Sequence, residues 1–154
     1  MRPHRRPASM PNGADAVYRK ILLGYDGSDA SKKAFEAACG LAAKDGAELF
    51  VLSVCRPPDI ADDVETEAVI ENSRHYHRRM LAELKPALVK RKIKAHLEVG
   101  VGHPAEQIIY DADRHGVDLI VVGDRGRSKF ARLLLGSVSK QVVQYAGRAV
   151  LVVR

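Results

Sequence analysis

Four short apolar runs and one alternating run, separated by longer segments of helical period, constrain this chain more than any other feature. In the alternating run Ile93, Ala95, Leu97 and Val99 interleave with Lys94, His96 and Glu98, which leaves one face wetter. Lys20 to Tyr25 (KILLGY), Glu48 to Val54 (ELFVLSV), Ile93 to Val99, Val117 to Val122 (VDLIVV) and Ala149 to Val153 (AVLVV) each have the length of a strand. Between them lie four segments with apolar residues three and four apart. The first, Asp29 to Lys44, carries Ala34, Phe35, Ala38, Leu41 and Ala42 and ends at Gly46. The second starts near Asp62 or Asp63, with a stripe of Ile70, His77, Leu81, Leu84 and Leu88 and a kink or stop at Pro86. The third opens at Pro104, turns Ala105, Ile108, Ile109 and Ala112 inward and stops at Gly116; the fourth runs from Gly136 to Ala146. Strands alternating with helices require crossover connections. The expectation is an α/β domain: a five-stranded, mostly parallel sheet with helices on both faces, Rossmann-like, with ligands bound beyond the strand carboxyl ends.

Composition narrows the class further. With aromatics at 5% and no Trp, the core must be built from Val, Ile, Leu and Ala. Cys39 and Cys55 form neither a CxxC pair nor a zinc-spaced cluster, and they read as free thiols of a reducing compartment. The formal charge of +6 raises nucleic acid as a partner, but Arg2, Arg5 and Arg6 lie in a Pro- and Gly-rich leading segment. Residues 1–18 read as a disordered basic tail and 19–154 as the folded domain, so nucleic-acid binding is not the expected role. Neither a signal-peptide core nor a run of membrane-spanning length is present, which points to a cytoplasmic location and no membrane partner.

Three segments fall at strand carboxyl ends: Asp26-Gly27-Ser28, Val54-Cys55-Arg56 and the stretch from Gly123 to Ser137. The last reads Gly123-Asp124-Arg125-Gly126, nine residues, then Gly136-Ser137-Val138-Ser139. Glycines let the backbone approach an anion and offer N–H donors. A helix starting at Gly136-Ser137 adds its dipole and hydroxyl donors, and Arg125, Arg127, Lys129 and Arg132 add positive charge. The plainer readings are that Asp26 is a turn former and helix cap, and Ser137 an N-cap. His75 and His77 with Asp62, Asp63 and Glu67 resemble a metal cluster loosely; histidines two apart on a helix diverge, so a solvated face is the reading there. His103 reads as a loop residue and Lys90-Arg91-Lys92 as a solvated helix end.

From about Arg19 to Arg154 the sequence resembles the universal stress protein family in its ATP-binding branch. The branch signature G-x2-G-x9-G-(S/T) is matched by Gly123, Gly126, Gly136 and Ser137, and the flanks Tyr25-Asp26-Gly27-Ser28, Gly102-His103-Pro104-Ala105-Glu106 and Val150-Leu151-Val152-Val153 are similar as well. The resemblance implies an adenine-nucleotide alpha hydrolase-like fold, ATP held at the strand ends, alone or with Mg2+, and a homodimer formed through the C-terminal strand. It implies that Asp26 meets adenine or ribose and that Val54 offers its backbone to adenine. Gly123, Gly126, Arg127, Gly136, Ser137, Val138 and Ser139 would surround the phosphates. It further implies a nucleotide-dependent regulator of the stress response. The alternatives are a slow ATPase or self-phosphorylating protein, with Ser137 or Ser139 as acceptor, and a nucleotide-free interaction module. Asp124, an acid in the phosphate loop, and Gly147-Arg148-Ala149, which lacks a proline before the last strand, depart from the family's pattern.

Overall fold

The computed structural model describes residues 15–58, 64–125 and 135–154. Its elements run β1 (Lys20–Gly24), α1 (Asp29–Asp45), β2 (Glu48–Cys55), α2 (Val64–Ala82), α3 (Lys85–Lys90), β3 (Ala95–Val101), α4 (Pro104–His115), β4 (Leu119–Gly123), α5 (Ser137–Tyr145) and β5 (Ala149–Val153). All five strands are parallel, in the order β3-β2-β1-β4-β5. The expected fold class is therefore the observed one.

Period-two alternation divides the sheet's side chains between two cores. Ile21, Leu23, Leu49, Val51, Leu119 and Val121 pack with Ala34, Phe35, Ala38 and Ala42 of α1 and with Leu81, Leu84 and Leu88 around α2 and α3. Leu22, Phe50, Leu52, Ile120 and Val122 face the other way, onto Ala105, Ile108 and Ala112 of α4 and Val142 of α5. Burying each such aliphatic side chain stabilises the fold by about 1.5–3 kcal/mol before entropy is counted. β1 lies at the centre because it is apolar on both faces; Ile21, Leu22 and Leu23 are at most 1% exposed.

Element ends follow the local chemistry. Ser28 caps α1 by accepting the Ser31 N–H at 3.2 Å, and Gly46 and Gly116 end α1 and α4 in the left-handed conformation, at φ 66° and 62°. Pro86 neither kinks the second helix nor merely stops it: α2 ends at Ala82, and Pro86 sits in the first turn of a separate short helix, so five helices replace the four expected. That position suits proline because its missing N–H has no helical partner there. β3 begins two residues later than Ile93 and runs to Val101. The expected helix start at Asp62 or Asp63 lies outside the described residues.

The chain is tied to the domain from Val17 onward, within the segment read as tail. The buried carboxylate of Asp45 accepts the N–H groups of Val17 at 3.1 Å and Tyr18 at 2.8 Å, and Asp118 accepts those of Arg19 and Lys20. Cys39 and Cys55 are both free and buried; burial pushes the Cys39 thiol up to about 11 despite the nearby Arg91 guanidinium. Arg91 is more than a solvated helix end, since it pairs with Glu36 at 2.5 Å. No helix among the described residues is long and apolar enough to cross a membrane.

Candidate functional site

The strand order creates the site. From β1 the chain steps outward to β2 and β3, then returns to the opposite side of β1 for β4 and β5. Connections leaving β1 and β4 therefore diverge to opposite faces and open a crevice beyond their carboxyl ends. The β1–α1 turn, the end of β2, the end of β4 and the start of α5 all border this end of the sheet.

At the β1–α1 turn, Gly27 adopts φ 79°, a conformation costly for any other residue. The Asp26 carboxylate accepts the Ser28 N–H at 2.9 Å, while the Ser31 hydroxyl donates to the Ser28 carbonyl at 3.0 Å. Asp26 thus performs the turn-forming role that the residue type predicts and stays half-buried at the crevice. Val54 is half-buried near the end of β2 and packs against the core of the α4 face.

The end of β4 is built around one carbonyl. The Asp124 N–H continues the sheet by donating to Val153 at 2.8 Å, and its carbonyl accepts the Gly136 N–H at 2.7 Å and the Ser139 hydroxyl at 3.0 Å. The two ends of the glycine-rich loop are joined there, and α5 is aimed by the same bonds. Ser139 is 2% exposed, and its hydroxyl also lies 3.0 Å from the Gly136 carbonyl, so in this structure it holds the base of the loop. Ser137 is exposed at the first helical position and Val138 packs partly into the core. Gly123 has a packing reason as well: a Cβ there would lie 2.8 Å from the backbone carbon and the Cβ of Ala30 in α1. Gly126, Arg127, Lys129 and Arg132 lie outside the described residues.

These groups fit a phosphate. The first turn of α5 contains no acid, and its N-cap, Gly136, offers no side chain to the first N–H groups, so the positive end of the helix is uncompensated from within. The acid that departs from the family pattern, Asp124, is largely buried, with its carboxylate 3.6 Å from the Arg125 guanidinium.

Beside the β1–α1 turn lies a cleft of about 500 Å³ between α1 and α2, bordered by Tyr25, Gly27, Lys32, His75, Arg79 and Glu83. Burial, with the negative charges of Glu83 and Asp26, raises the Tyr25 hydroxyl above its ordinary value. Sequence reasoning missed this cleft because its walls come from two helices whose facing sides are fixed only by packing. The loose grouping of His75 and His77 divides between two environments. His75 borders the cleft, whereas His77 bonds through Nδ1 to the buried Ser53 hydroxyl at 2.6 Å, in keeping with its place on the apolar stripe. Asp62 and Asp63 are outside the described residues. His103 is the N-cap residue of α4.

A parallel sheet of this order, with helices on both faces and an uncompensated helix start at its switch point, defines the chain as a doubly wound α/β domain. The chain belongs to the universal stress protein family, whose family model matches residues 17–154. Universal stress protein YxiE of Bacillus subtilis is 34% identical over 153 residues, spanning 90% of this chain and 100% of that protein. A universal stress protein of Thermus aquaticus is 36% identical over 140 residues, again 90% and 100%. Among solved structures, universal stress protein UspA from Lactobacillus plantarum superposes with a TM-score of 0.82 at 25% identity, covering 89% of this chain and 98% of that one. A universal stress protein solved in complex with cAMP does so with a TM-score of 0.70 at 26% identity, covering 89% and 97%.

Proposed function

We propose that this protein binds an adenine nucleotide, ATP alone or with Mg2+, at the β1/β4 crevice and acts as a nucleotide-dependent regulator in the stress response of a cytoplasmic homodimer. The observation that carries the reading is the Asp124 carbonyl. By taking both the Gly136 N–H and the Ser139 hydroxyl, it fixes the uncompensated start of α5 at the end of the strand beside β1. The spacing of Gly123, Gly126, Gly136 and Ser137 supports the same reading, as does the relative solved with cAMP. In this reading Gly123, Gly126, Arg127, Gly136, Ser137 and Val138 surround the phosphates, Ser139 anchors their loop, and Asp26 and Val54 flank the nucleoside. Mg2+, when bound, would neutralise phosphate charge.

Binding is favoured over turnover because phosphoryl transfer needs a positioned attacking group. Among the described residues Asp26 is engaged with the Ser28 N–H, Asp124 lies against Arg125 and the Ser139 hydroxyl is buried, which leaves the exposed Ser137 hydroxyl as the acceptor for the self-phosphorylating alternative. Edge strand β5, with Leu151 36% exposed, supports pairing with a second copy.

Ligand at a hundred times its dissociation constant adds about 2.7 kcal/mol of stability, which corresponds to a rise of roughly 5–10 °C in Tm for a domain of this size. Thermal melts with ATP, AMP and cAMP should show that rise for at least one nucleotide, reduced by Gly136→Val and Ser137→Ala. An unchanged curve at millimolar nucleotide overturns the site, and phosphate release of about one per second or faster would make the protein an enzyme of ordinary rate.

A further inference from the structure

We propose that Glu98, Asp111 and His115 form a site for one divalent transition metal of the zinc class, on the α4 face of the sheet and away from the nucleotide crevice, with Arg114 as its displaceable occupant. Asp111 and His115 are four residues apart on α4 and so share a helix face; Glu98 comes from β3 beneath them. One ligand atom from each lies within 4.8 Å of the others. The Glu98 Oε1 and His115 Nε2 atoms are already 3.1 Å apart. Ligands about 2.0–2.2 Å from a tetrahedral zinc stand roughly 3.4 Å from each other, so small rotations of Asp111 complete the set.

A cationic atom already stands at the focus of these three groups. The Arg114 Nη2 lies 2.5 Å from Glu98 Oε2, 3.3 Å from Asp111 Oδ1 and 3.1 Å from His115 Nε2. That arrangement leaves His115 in conflict. Its Nε2 faces a carboxylate oxygen, which calls for a ring proton, and a guanidinium N–H, which calls for a lone pair. A metal ion removes the conflict by taking the lone pair of Nε2 and the negative charge of both carboxylates together. Arg114 is about half exposed and can swing into solvent, whereas Asp111 is 6% exposed and the His115 ring is fixed by stacking on Phe50 at 4.2 Å. The ligands are thus held and the competing cation is not. One imidazole with two carboxylates selects zinc-like ions over Mg2+ or Ca2+, which take oxygen donors. Location separates this site from the crevice: the His115 carbonyl accepts from Lys20, the first residue of β1, so the cluster lies toward the strand amino ends.

The test is calorimetric titration of ZnCl2 into the nucleotide-free full chain, with Co2+ absorption as a report of coordination. One ion per chain is expected, weakened at least about tenfold by His115→Gln and by the near-isosteric Glu98→Gln, and tightened by Arg114→Gln. The nucleotide-induced Tm rise of the same variants, each measured from its own nucleotide-free melt, should match the parent's, so the outcome does not depend on the crevice. No zinc uptake, uptake indifferent to both ligand variants, or an affinity unchanged or weakened by Arg114→Gln would each overturn the proposal.

Discussion

Replacing Gly123 by alanine tests whether the glycine signature serves the fold before it serves a ligand. The added Cβ would meet the Ala30 backbone carbon and Cβ at 2.8 Å and the Ala30 carbonyl oxygen at 3.0 Å. An ordinary contact begins near 3.4 Å, so β4 and the first turn of α1 must part by about 0.6 Å. Neither partner gives way easily, since Gly123 pairs with Val153 in the sheet and Ala30 sits in the turn capped by Ser28. Overpacking of this kind costs about 1–3 kcal/mol, and each kcal/mol lowers Tm by roughly 2–4 °C in a domain of this size. Urea denaturation of nucleotide-free protein should show a lower midpoint at an unchanged slope, because the surface exposed on unfolding stays the same. The displaced turn also carries Asp26, so the nucleotide-induced Tm rise should shrink as well. A nucleotide-free melt indistinguishable from the parent would refute the packing argument, whatever happened to binding.

Ser139→Ala should lower the nucleotide-free stability by about 1 kcal/mol, the net worth of one buried hydrogen bond, while the exposed Ser137→Ala should leave it unchanged; equal melts for the two variants would contradict the anchoring role. Glu48 is pushed up by burial but pulled further down by hydrogen bonds from His96 and Lys94, so its carboxyl ends below its ordinary value. Its contribution is therefore present above the usual carboxylate range and lost as pH falls through the depressed value, and Glu48→Gln should flatten the acid limb of the stability curve. Cys39, with its thiol raised to about 11 and fully buried, should react with an aromatic disulfide reagent at neutral pH only on unfolding, and a fast native phase abolished by Cys39→Ser would show otherwise.

The sheet was legible because its strands are apolar or alternating runs bounded by residues with one local meaning: Gly27, Gly46 and Gly116 adopt positive φ, and Pro104 opens α4. Local rules carried less information where two outcomes shared a signal. Proline in a helical pattern stops one helix or starts the next, and at Pro86 the deciding factor was Leu88, whose burial requires a new turn against the core. The alternation of Lys94, His96 and Glu98 on β3 marked one face as wet. That face is instead partly covered by α4, which brings His115 onto Phe50 opposite His96 and sets Arg114 among Glu98, Asp111 and His115. Nothing in the spacing of Glu98 and Asp111 announces this meeting, since it depends on which face of the sheet the crossover helix covers.

The crevice raises a different question: what a match to a binding signature measures. Gly123 is required by Ala30, Ser139 by the Asp124 carbonyl, and Asp26 by the Ser28 N–H, so three of the residues that mark the site also build it. A chain could keep them to hold β4, α5 and the β1–α1 turn in place even if no nucleotide bound. Loss of nucleotide affinity in a variant at any of the three is therefore uninformative unless the nucleotide-free protein is as stable as the parent. Ser137 separates the two roles, because it is exposed at the first position of α5, where the fold asks little of its side chain and a phosphate would lie near its hydroxyl. Affinity lost at Ser137 with unchanged nucleotide-free stability is the signature of contact, and affinity lost at Ser139 together with stability is the signature of a distorted loop.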